Sequence, residues 1–130
     1  MSSARVFVAA NILFSACRPG PALGGLLFRL GQEERLVTCA LAIEEAARNL
    51  EKKRPQWFPQ LALFIPIIQR VPLGECPDDI SLPANDGMLL GAAIAAGCAI
   101  FLTGDCGDFG HLYGRVIVGV RVLPPSEFNP

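Results

Sequence analysis

The apolar positions of the chain fall into short continuous runs that alternate with longer stretches of helical spacing. Residues 5–9, RVFVA, and residues 99–102, AIFL, contain runs of this kind, which are typical of strands buried on both faces. Two further strands are predicted, one as RLVTC within residues 34–39 and one at residues 67–72. Because the strands alternate with helical stretches, the pattern predicts a mainly parallel sheet that is covered on both faces.

The intervals between these strands have the composition of helices. Before the last third of the chain, helices are predicted over residues 12–16, 23–31, 40–53 and 57–64. The helix at residues 40–53 is the best defined, because ALAIEEAARNLEKK consists mostly of strong helix formers and has lysines near its C-terminal end. The sequence RPGP at residues 18–21 predicts a break between the first two helices.

The most informative stretch is residues 85–109, which read NDGMLLGAAIAAGCAIFLTGDCGDF. It predicts an apolar helix with Asp86 in its first turn, where the helix dipole favours a negative charge. The helix is expected to end near Gly97, a residue typical of helix C-termini. The buried strand then follows, and it stops at a Thr-Gly-Asp turn that contains Asp105.

The C-terminal part predicts one more strand. Residues 116–123, VIVGVRVL, are expected to form a single strand that is bent or bulged at Gly119, after a short turn at residues 110–114. With 130 residues, the chain has the length of one domain.

Composition excludes some classes of protein. The formal net charge of −1 gives no global basic signature for nucleic acid, although a local basic patch is compatible with it. Five cysteines without a CxxC pair are typical of a reduced, cytoplasmic protein. No uncharged apolar run reaches the length of about 18 residues that a membrane span needs. The hydrophobic fraction of 52% suggests that a homodimer buries some of the surplus apolar surface.

The polar residues that carry candidate chemistry come near one edge of the predicted sheet. Right-handed crossovers bring the carboxyl ends of parallel strands to the same edge. The side chains expected there are Ala9, Ala10, Asn11, Glu45, Asp86, Thr103 and Asp105. Clustered carboxylates repel one another without a cation, and hard divalent ions prefer oxygen ligands, so the pattern favours a cation site.

Four pieces of the chain, in order, resemble the PIN domain, a family of small metal-dependent ribonucleases. They read VFVAANILFSA, EEAARNL, LPANDGMLLGAAIAAGCAIFLTGDCGDFG and GVRVLPPSEF. The resemblance implies a single PIN-like domain over residues 1–130, folded as a three-layer α/β/α sandwich with a mostly parallel sheet of about five strands. It also implies an acidic pocket that holds Mg²⁺ or Mn²⁺ and hydrolyses RNA. Because many relatives are toxins of toxin–antitoxin pairs, the implied partners are single-stranded RNA, an antitoxin and a second copy of the chain.

The resemblance also implies roles for particular residues. The implied catalytic and metal-binding acids are Glu45 (Glu44 in an alternative register), Asp86 and Asp105, with Asp108 as a further metal ligand and with Asn11 and Thr103 as pocket supports. Simpler interpretations stand beside these roles. Asp105 suits a turn, Asp86 suits a helix start, Asn11 suits a helix N-cap, and Glu45 suits a solvated helix face.

The chain lacks the first of the acids that the family uses. The family has an aspartate at the end of the first strand, and this chain has Ala9. Alanine cannot bind a metal or activate water, so we expect little or no nuclease activity. Either the natural protein lacks this acid, or an aspartate was replaced to silence a toxic nuclease. The alternative hypothesis is a non-catalytic module of the same fold that binds RNA or a protein partner.

Basic and aromatic residues near the pocket suggest contacts with nucleic acid. They are Arg18, Arg48, Lys52, Lys53, Arg54, Trp57 and Phe58. Solvated helix-end charges and ordinary packing are the simpler interpretations of these residues. A phosphoacceptor receiver domain also gathers acids at strand ends, but it requires a lysine after a late strand, and no lysine occurs near residues 116–123.

Overall fold

The computed structural model describes residues 4–20 and 22–129, so Pro21 of the predicted break lies outside the described residues. The strands are β1 (Val6–Val8), β2 (Leu36–Thr38), β3 (Gln69–Arg70), β4 (Ile100–Leu102), β5 (Val116–Ile117) and β6 (Val120–Leu123). The α-helices are α1 (Ala10–Ala16), α2 (Ala22–Gln32), α3 (Ala40–Lys53), α4 (Phe58–Phe64), α5 (Ala84–Ala95) and α6 (Cys106–Phe109). Short 3₁₀ turns lie at Pro55–Trp57, Ile65–Ile67, Gly110–Leu112 and Pro125–Glu127.

The strands form one six-stranded sheet in the order β3-β2-β1-β4-β6-β5. All neighbouring pairs are parallel except β5 and β6. The chain moves outward from β1 to β3 and then returns to the other side of β1 with β4 and β6. The direction of winding therefore reverses between β1 and β4, and at such a switch point a crevice opens beyond the carboxyl ends of the strands.

The helices cover both faces of this sheet, which confirms the predicted three-layer α/β/α sandwich. Helices α1 to α4 pack against one another, whereas α5 packs on β2 and β4. This division follows from right-handed crossovers, because the chain travels one way across the sheet before β3 and the opposite way after it. None of the helices in the described ranges combines the length and the apolar character needed to cross a membrane.

The C-terminal run is a hairpin, and the predicted single bent strand over residues 116–123 is wrong. Val118 and Gly119 both have positive φ angles, of 47° and 85°, so the chain reverses between them. Ile117 then pairs with Val120 in an antiparallel register. Two residues of positive φ suit a two-residue hairpin turn, although a β-branched residue such as Val118 is strained there. The hairpin raises the number of strands from about five to six.

Proline and cap chemistry shift two other boundaries. The predicted strand at residues 67–72 shortens to Gln69–Arg70, because a 3₁₀ turn occupies Ile65–Ile67 around Pro66. The short helix α6 lies before the turn predicted at residues 110–114, and it begins where the side chain of Asp105 caps it.

Aromatic packing in the core supports the carboxyl edge of the central strands. Phe7 of β1 stacks on Phe101 of β4 with ring centroids 5.3 Å apart. Phe101 in turn stacks on Phe109 of α6 at 5.0 Å. All three side chains are fully buried. The stack therefore ties β1, β4 and α6 together beneath the loop that follows β4.

The segment before α5 crosses the outer side of that helix at very short range. The backbone N–H of Gly74 donates a hydrogen bond to the carbonyl of Met88 at 3.2 Å. A Cβ atom on Gly91 would lie 2.5 Å from the backbone of Glu75, which is closer than packed atoms approach. The glycines of this stretch therefore serve a close crossing that buries α5 on its outer side as well as on the sheet.

Candidate metal centre

A cleft of about 300 Å³ opens beyond the carboxyl ends of β1 and β4, at the switch point of the sheet. Helix α1 contributes Asn11, Phe14 and Ser15 to its walls, and α3 contributes Glu45, Asn49 and Lys53. Asp86 of α5 and Asp105 of the loop after β4 complete the acidic end. Four elements that are distant in sequence thus supply the polar groups of one cleft.

Three aspartates form a tight cluster at this acidic end. Asp86, Asp105 and Asp108 each offer a carboxylate oxygen, and these oxygens lie within 4.8 Å of one another. Asp86 lies in the first turn of α5, Asp105 is the N-cap of α6, and Asp108 lies in the first turn of α6. Two helix N-termini therefore meet at the cluster, and such termini favour negative charge.

The crowding changes the protonation of Asp86. Burial is the largest influence, and together with a hydrogen bond to Asp108 it raises the pKa of the Asp86 carboxyl from 3.8 to about 7. The charges of Asp108, Asp105 and Glu45 act in the same direction. Near neutral pH, a proton thus relieves part of the repulsion within the cluster, and a bound cation would take the place of that proton.

Asn11 connects α1 to the loop that carries Asp105. Its Nδ2 donates a hydrogen bond to Oγ1 of Thr103 at 3.2 Å, and its Oδ1 accepts one from the backbone N–H of Gly104 at 2.6 Å. The N-cap of α1 is Ala9 and not Asn11, so the N-cap interpretation of Asn11 is wrong. Both amide atoms of Asn11 instead hold the loop after β4 in position.

The same loop is fixed by three further hydrogen bonds. The hydroxyl oxygen of buried Thr103 accepts one from the backbone N–H of Asp105 at 3.1 Å. The Tyr113 hydroxyl donates to the Thr103 carbonyl at 2.8 Å. Oδ1 of Asp105 accepts from the backbone N–H of Asp108 at 3.0 Å, so capping of α6 uses one carboxylate oxygen and leaves the other for a ligand. Tyr113 was not predicted, and no local pattern in the sequence points to it.

Glu45 lines the cleft, whereas its neighbour Glu44 is exposed and does not. Nδ2 of Asn85 donates a hydrogen bond to Oε1 of Glu45 at 3.3 Å, which joins α3 to α5. Within the described residues, the three-aspartate cluster includes Asp108 and does not include Glu45. Of the two registers left open by the sequence, the fold therefore presents Glu45 to the cleft, at longer range than the aspartates.

Ala9 lines the cleft at the position where the resemblance implies an acid. As the N-cap of α1 it makes no side-chain hydrogen bond, and it is only 3% exposed. An aspartate here would suit both tasks, since Asp is a preferred N-cap residue and an oxygen ligand. The present chain has a methyl group there.

The predicted basic and aromatic residues are divided between different surfaces. Lys53 lines the acidic cleft, and Arg18 and Trp57 line a neighbouring groove. Arg48 and Lys52 lie together on another part of α3. Asn49 and Lys53 were not predicted as a pair with Glu45, although their spacing of four residues gives the signal, because residues i and i+4 share one helical face.

The donor set fits a hard divalent cation. Mg²⁺ binds oxygen ligands at about 2.0–2.1 Å, so opposite ligands of one ion lie about 4.2 Å apart. Adjacent ligands of the same ion lie closer, about 3 Å apart. The carboxylate oxygens of Asp86, Asp105 and Asp108 lie within 4.8 Å of one another, so they would move closer together on binding one ion. No protein-family model and no curated protein matches the chain.

Proposed function

We propose that the chain is a PIN-like domain and a metal-dependent ribonuclease. Its acidic cleft binds Mg²⁺ or Mn²⁺, and the absence of an acid at Ala9 impairs catalysis. The observation that carries the proposal is the convergence of Asp86, Asp105 and Asp108 at the switch point of the sheet. Support also comes from the hydrogen bonds that fix this arrangement from behind, through Asn11 and Thr103.

The residues of the cleft would have different roles in such a reaction. Asp86, Asp105 and Asp108 would hold the ion, with Glu45 beside them. A divalent ion bound there would polarise a scissile phosphate and lower the pKa of a water molecule. Lys53, on the same wall as Glu45, carries the positive charge that suits a phosphate oxygen.

Ala9 explains why activity is expected to be low. Without a carboxylate at the end of β1, a bound ion would have one ligand fewer, and a water near Ala9 would have no base beside it. Single-stranded RNA as substrate and an antitoxin as partner follow from the same resemblance and belong to the proposal. A cytoplasmic location, from the cysteine pattern, and a homodimer, from the resemblance and the apolar composition, also belong to it. Exposed apolar side chains such as Leu63 and Leu73 are compatible with a subunit interface.

The test is to restore the acid and measure metal binding and cleavage together. The variant Ala9→Asp is titrated with Mn²⁺ by calorimetry and incubated with single-stranded RNA and Mn²⁺. We expect tighter binding and cleavage, both of which disappear when Asp86→Asn is added. A restored protein that neither gains affinity for Mn²⁺ nor cleaves RNA would contradict the proposal.

A second function, a non-catalytic module that binds RNA or a protein, is favoured by one observation. The cleft keeps its hydrogen-bonded framework although Ala9 replaces the first acid. This function predicts that the unchanged chain binds single-stranded RNA with an affinity that Mn²⁺ does not alter. It also predicts that Ala9→Asp does not cleave RNA.

A further inference from the structure

We infer that the groove beside the acidic cleft binds one nucleotide of a single-stranded RNA, with its base against Phe14 and Trp57 and its phosphate at Lys53. The inference rests on the proposed function, because it extends the path of the substrate away from the metal centre. We call this surface the flanking groove, and its lining includes Phe14, Ser15, Arg18, Leu23 and Trp57.

The flanking groove continues directly from the acidic cleft. Phe14 and Ser15 of α1 line both, so a chain leaving the acidic end along α1 enters the groove next. The groove has a volume of about 450 Å³, which is within the usual size of sites for small molecules. A substrate that extends past its scissile phosphate therefore has a formed surface to occupy.

The aromatic residues of the groove suit an unstacked base. The rings of Phe14 and Trp57 lie 5.8 Å apart with an interplanar angle of 58°, and both side chains are only partly buried. The guanidinium group of Arg54 lies 5.4 Å from the Trp57 ring centroid and adds a positive charge beside the ring. Partly exposed aromatic rings next to cations are the usual platform on which proteins stack single-stranded bases.

Along the α3 wall of the cleft the charge changes from negative at Glu45 to positive at Lys53. A phosphate of RNA beyond the metal site would meet the positive end. On α3, Glu45, Asn49 and Lys53 follow one another at intervals of four residues along the cleft. The acidic end repels a phosphate unless a divalent cation is bound, whereas Lys53 attracts one directly. Among the described residues that line the flanking groove there is no acid, and Arg18 adds a further cation.

This arrangement selects a single strand over a duplex and over an acidic protein segment. A base can reach Phe14 and Trp57 only when it is unstacked from its neighbours, as in single-stranded RNA. An acidic peptide would match the cations but would leave the aromatic rings without flat partners. The combination of rings and cations therefore favours a nucleotide.

Trp57 is the only tryptophan of the chain, so its fluorescence reports on the groove. A short oligouridine is titrated into the metal-free protein in the presence of EDTA, which separates binding from metal chemistry. We expect saturable quenching of Trp57. Replacing the bases by abasic sites should weaken binding in the unchanged protein and have little further effect in Phe14→Leu, whose folding is checked by thermal denaturation.

Two neighbouring lysines provide a matched pair of variants. Lys53→Gln should weaken binding severalfold and reduce the slope of log Kd against log salt by about 1, as expected for the loss of one phosphate contact. Lys52→Gln makes the same change of charge one residue earlier, at a side chain that does not line the cleft, and should leave both values close to those of the unchanged protein.

Several outcomes would overturn the inference. They are no response of Trp57 to oligouridine, equal effects of Lys52→Gln and Lys53→Gln, or equal binding of abasic and normal oligomers. Trp57 emission that depends on protein concentration, with light scattering that gives a dimer, would mean that a second copy covers the groove. If Ala9→Asp cleaves RNA while Trp57 stays silent, only the groove is wrong. If Trp57 responds while Mn²⁺ binding and cleavage are absent, the proposed nuclease function fails and the groove stands.

Discussion

The charged side chains at the two ends of the strands are arranged in opposite ways. We call these ends the amino edge and the carboxyl edge of the sheet. At the amino edge, buried Arg35 donates hydrogen bonds to the carbonyl of Ala4 at 2.6 Å and to Glu33 at 2.8 Å, and Arg5 donates to the carbonyl of Ala96. At the carboxyl edge, Asp86, Asp105 and Asp108 converge on one another, and among the described residues no salt bridge is made to them. Paired charges of fixed geometry serve stability, whereas converging like charges cost stability and gain from binding.

The largest expected effect comes from completing the carboxyl edge. Ala9→Asp should raise the affinity for Mn²⁺ at least about tenfold, because it adds an oxygen ligand at the cleft wall. Calorimetry measures the affinity, and cleavage of labelled single-stranded RNA measures the activity.

The matched control for this change is Ala9→Asn. Both variants supply an N-cap to α1, which is worth about 0.5–2 kcal/mol, but only aspartate adds a charge. A gain in Mn²⁺ affinity that is as large for Ala9→Asn as for Ala9→Asp would show that the negative charge of the aspartate is not responsible.

The next effect is the pH dependence of the metal-free protein. Asp86 keeps its proton up to about pH 7 in the folded chain, whereas its ordinary pKa is 3.8. Between these values the folded state binds more protons than the unfolded state, so the free energy of unfolding should fall as the pH rises toward and through 7. Melting temperatures measured across this range should decrease, and saturating Mn²⁺ should remove the decrease.

Asp86→Asn tests the assignment of that titration to one residue. The neutral amide cannot ionise, so the variant should lose most of the fall in melting temperature and should be more stable than the unchanged chain at about pH 8. It should also lose the stabilisation by Mn²⁺. A pH profile unchanged by the substitution would assign the titration to another group.

At the amino edge we expect the opposite combination. Arg35→Met removes the buried guanidinium with its hydrogen bonds to the Ala4 carbonyl and to Glu33, which should lower the free energy of unfolding by about 1–3 kcal/mol. Mn²⁺ affinity should not change, because the residue lies at the other end of the strands. Chemical denaturation and calorimetry on the same preparations measure both quantities, and a loss of Mn²⁺ binding in a folded Arg35→Met would refute the contrast between the edges.

The smallest effect separates two adjacent glutamates. Glu45→Gln should weaken Mn²⁺ binding a few-fold, because it removes a charge that faces the cleft without belonging to the tight cluster. Glu44→Gln makes the same change on the exposed side of α3 and should have no effect. Calorimetric titrations of the two variants compare them directly, and equal effects would mean that only the general charge of α3 matters.

The sequence predicts the central strands well because continuous apolar runs have few alternatives in a chain of this length. Residues 5–9 and 99–102 contain β1 and β4. The hairpin at Val118 and Gly119 escaped prediction because VIVGVRVL contains no Asn-Gly or Asp-Gly pair. Val118 is 70% exposed and has a positive φ angle that β-branched residues rarely adopt.

The candidate site was predictable where it follows strand ends and not where it depends on caps. Asp105 and Asp86 are expected at the carboxyl edge from topology alone. Asp108 is expected only from the resemblance, because its place beside Asp105 depends on the cap of α6, a short helix that no periodicity indicates. The support from Tyr113 requires the chain to turn back from α6 toward β4 within ten residues, and no local pattern in the sequence indicates this turn.

The segment that crosses α5 at Gly74 and Glu75 helps to set the position of Asp86, although it does not line the cleft. Asp86 is carried by the first turn of α5, and the segment at Gly74 and Glu75 presses on the same helix at Met88 and Gly91. A side chain added at Gly91 would collide with the backbone of Glu75, so the segment or the helix must shift, and a shift of the helix would move the carboxylate of Asp86. A substitution remote from the cleft can therefore displace one metal ligand, the carboxylate of Asp86.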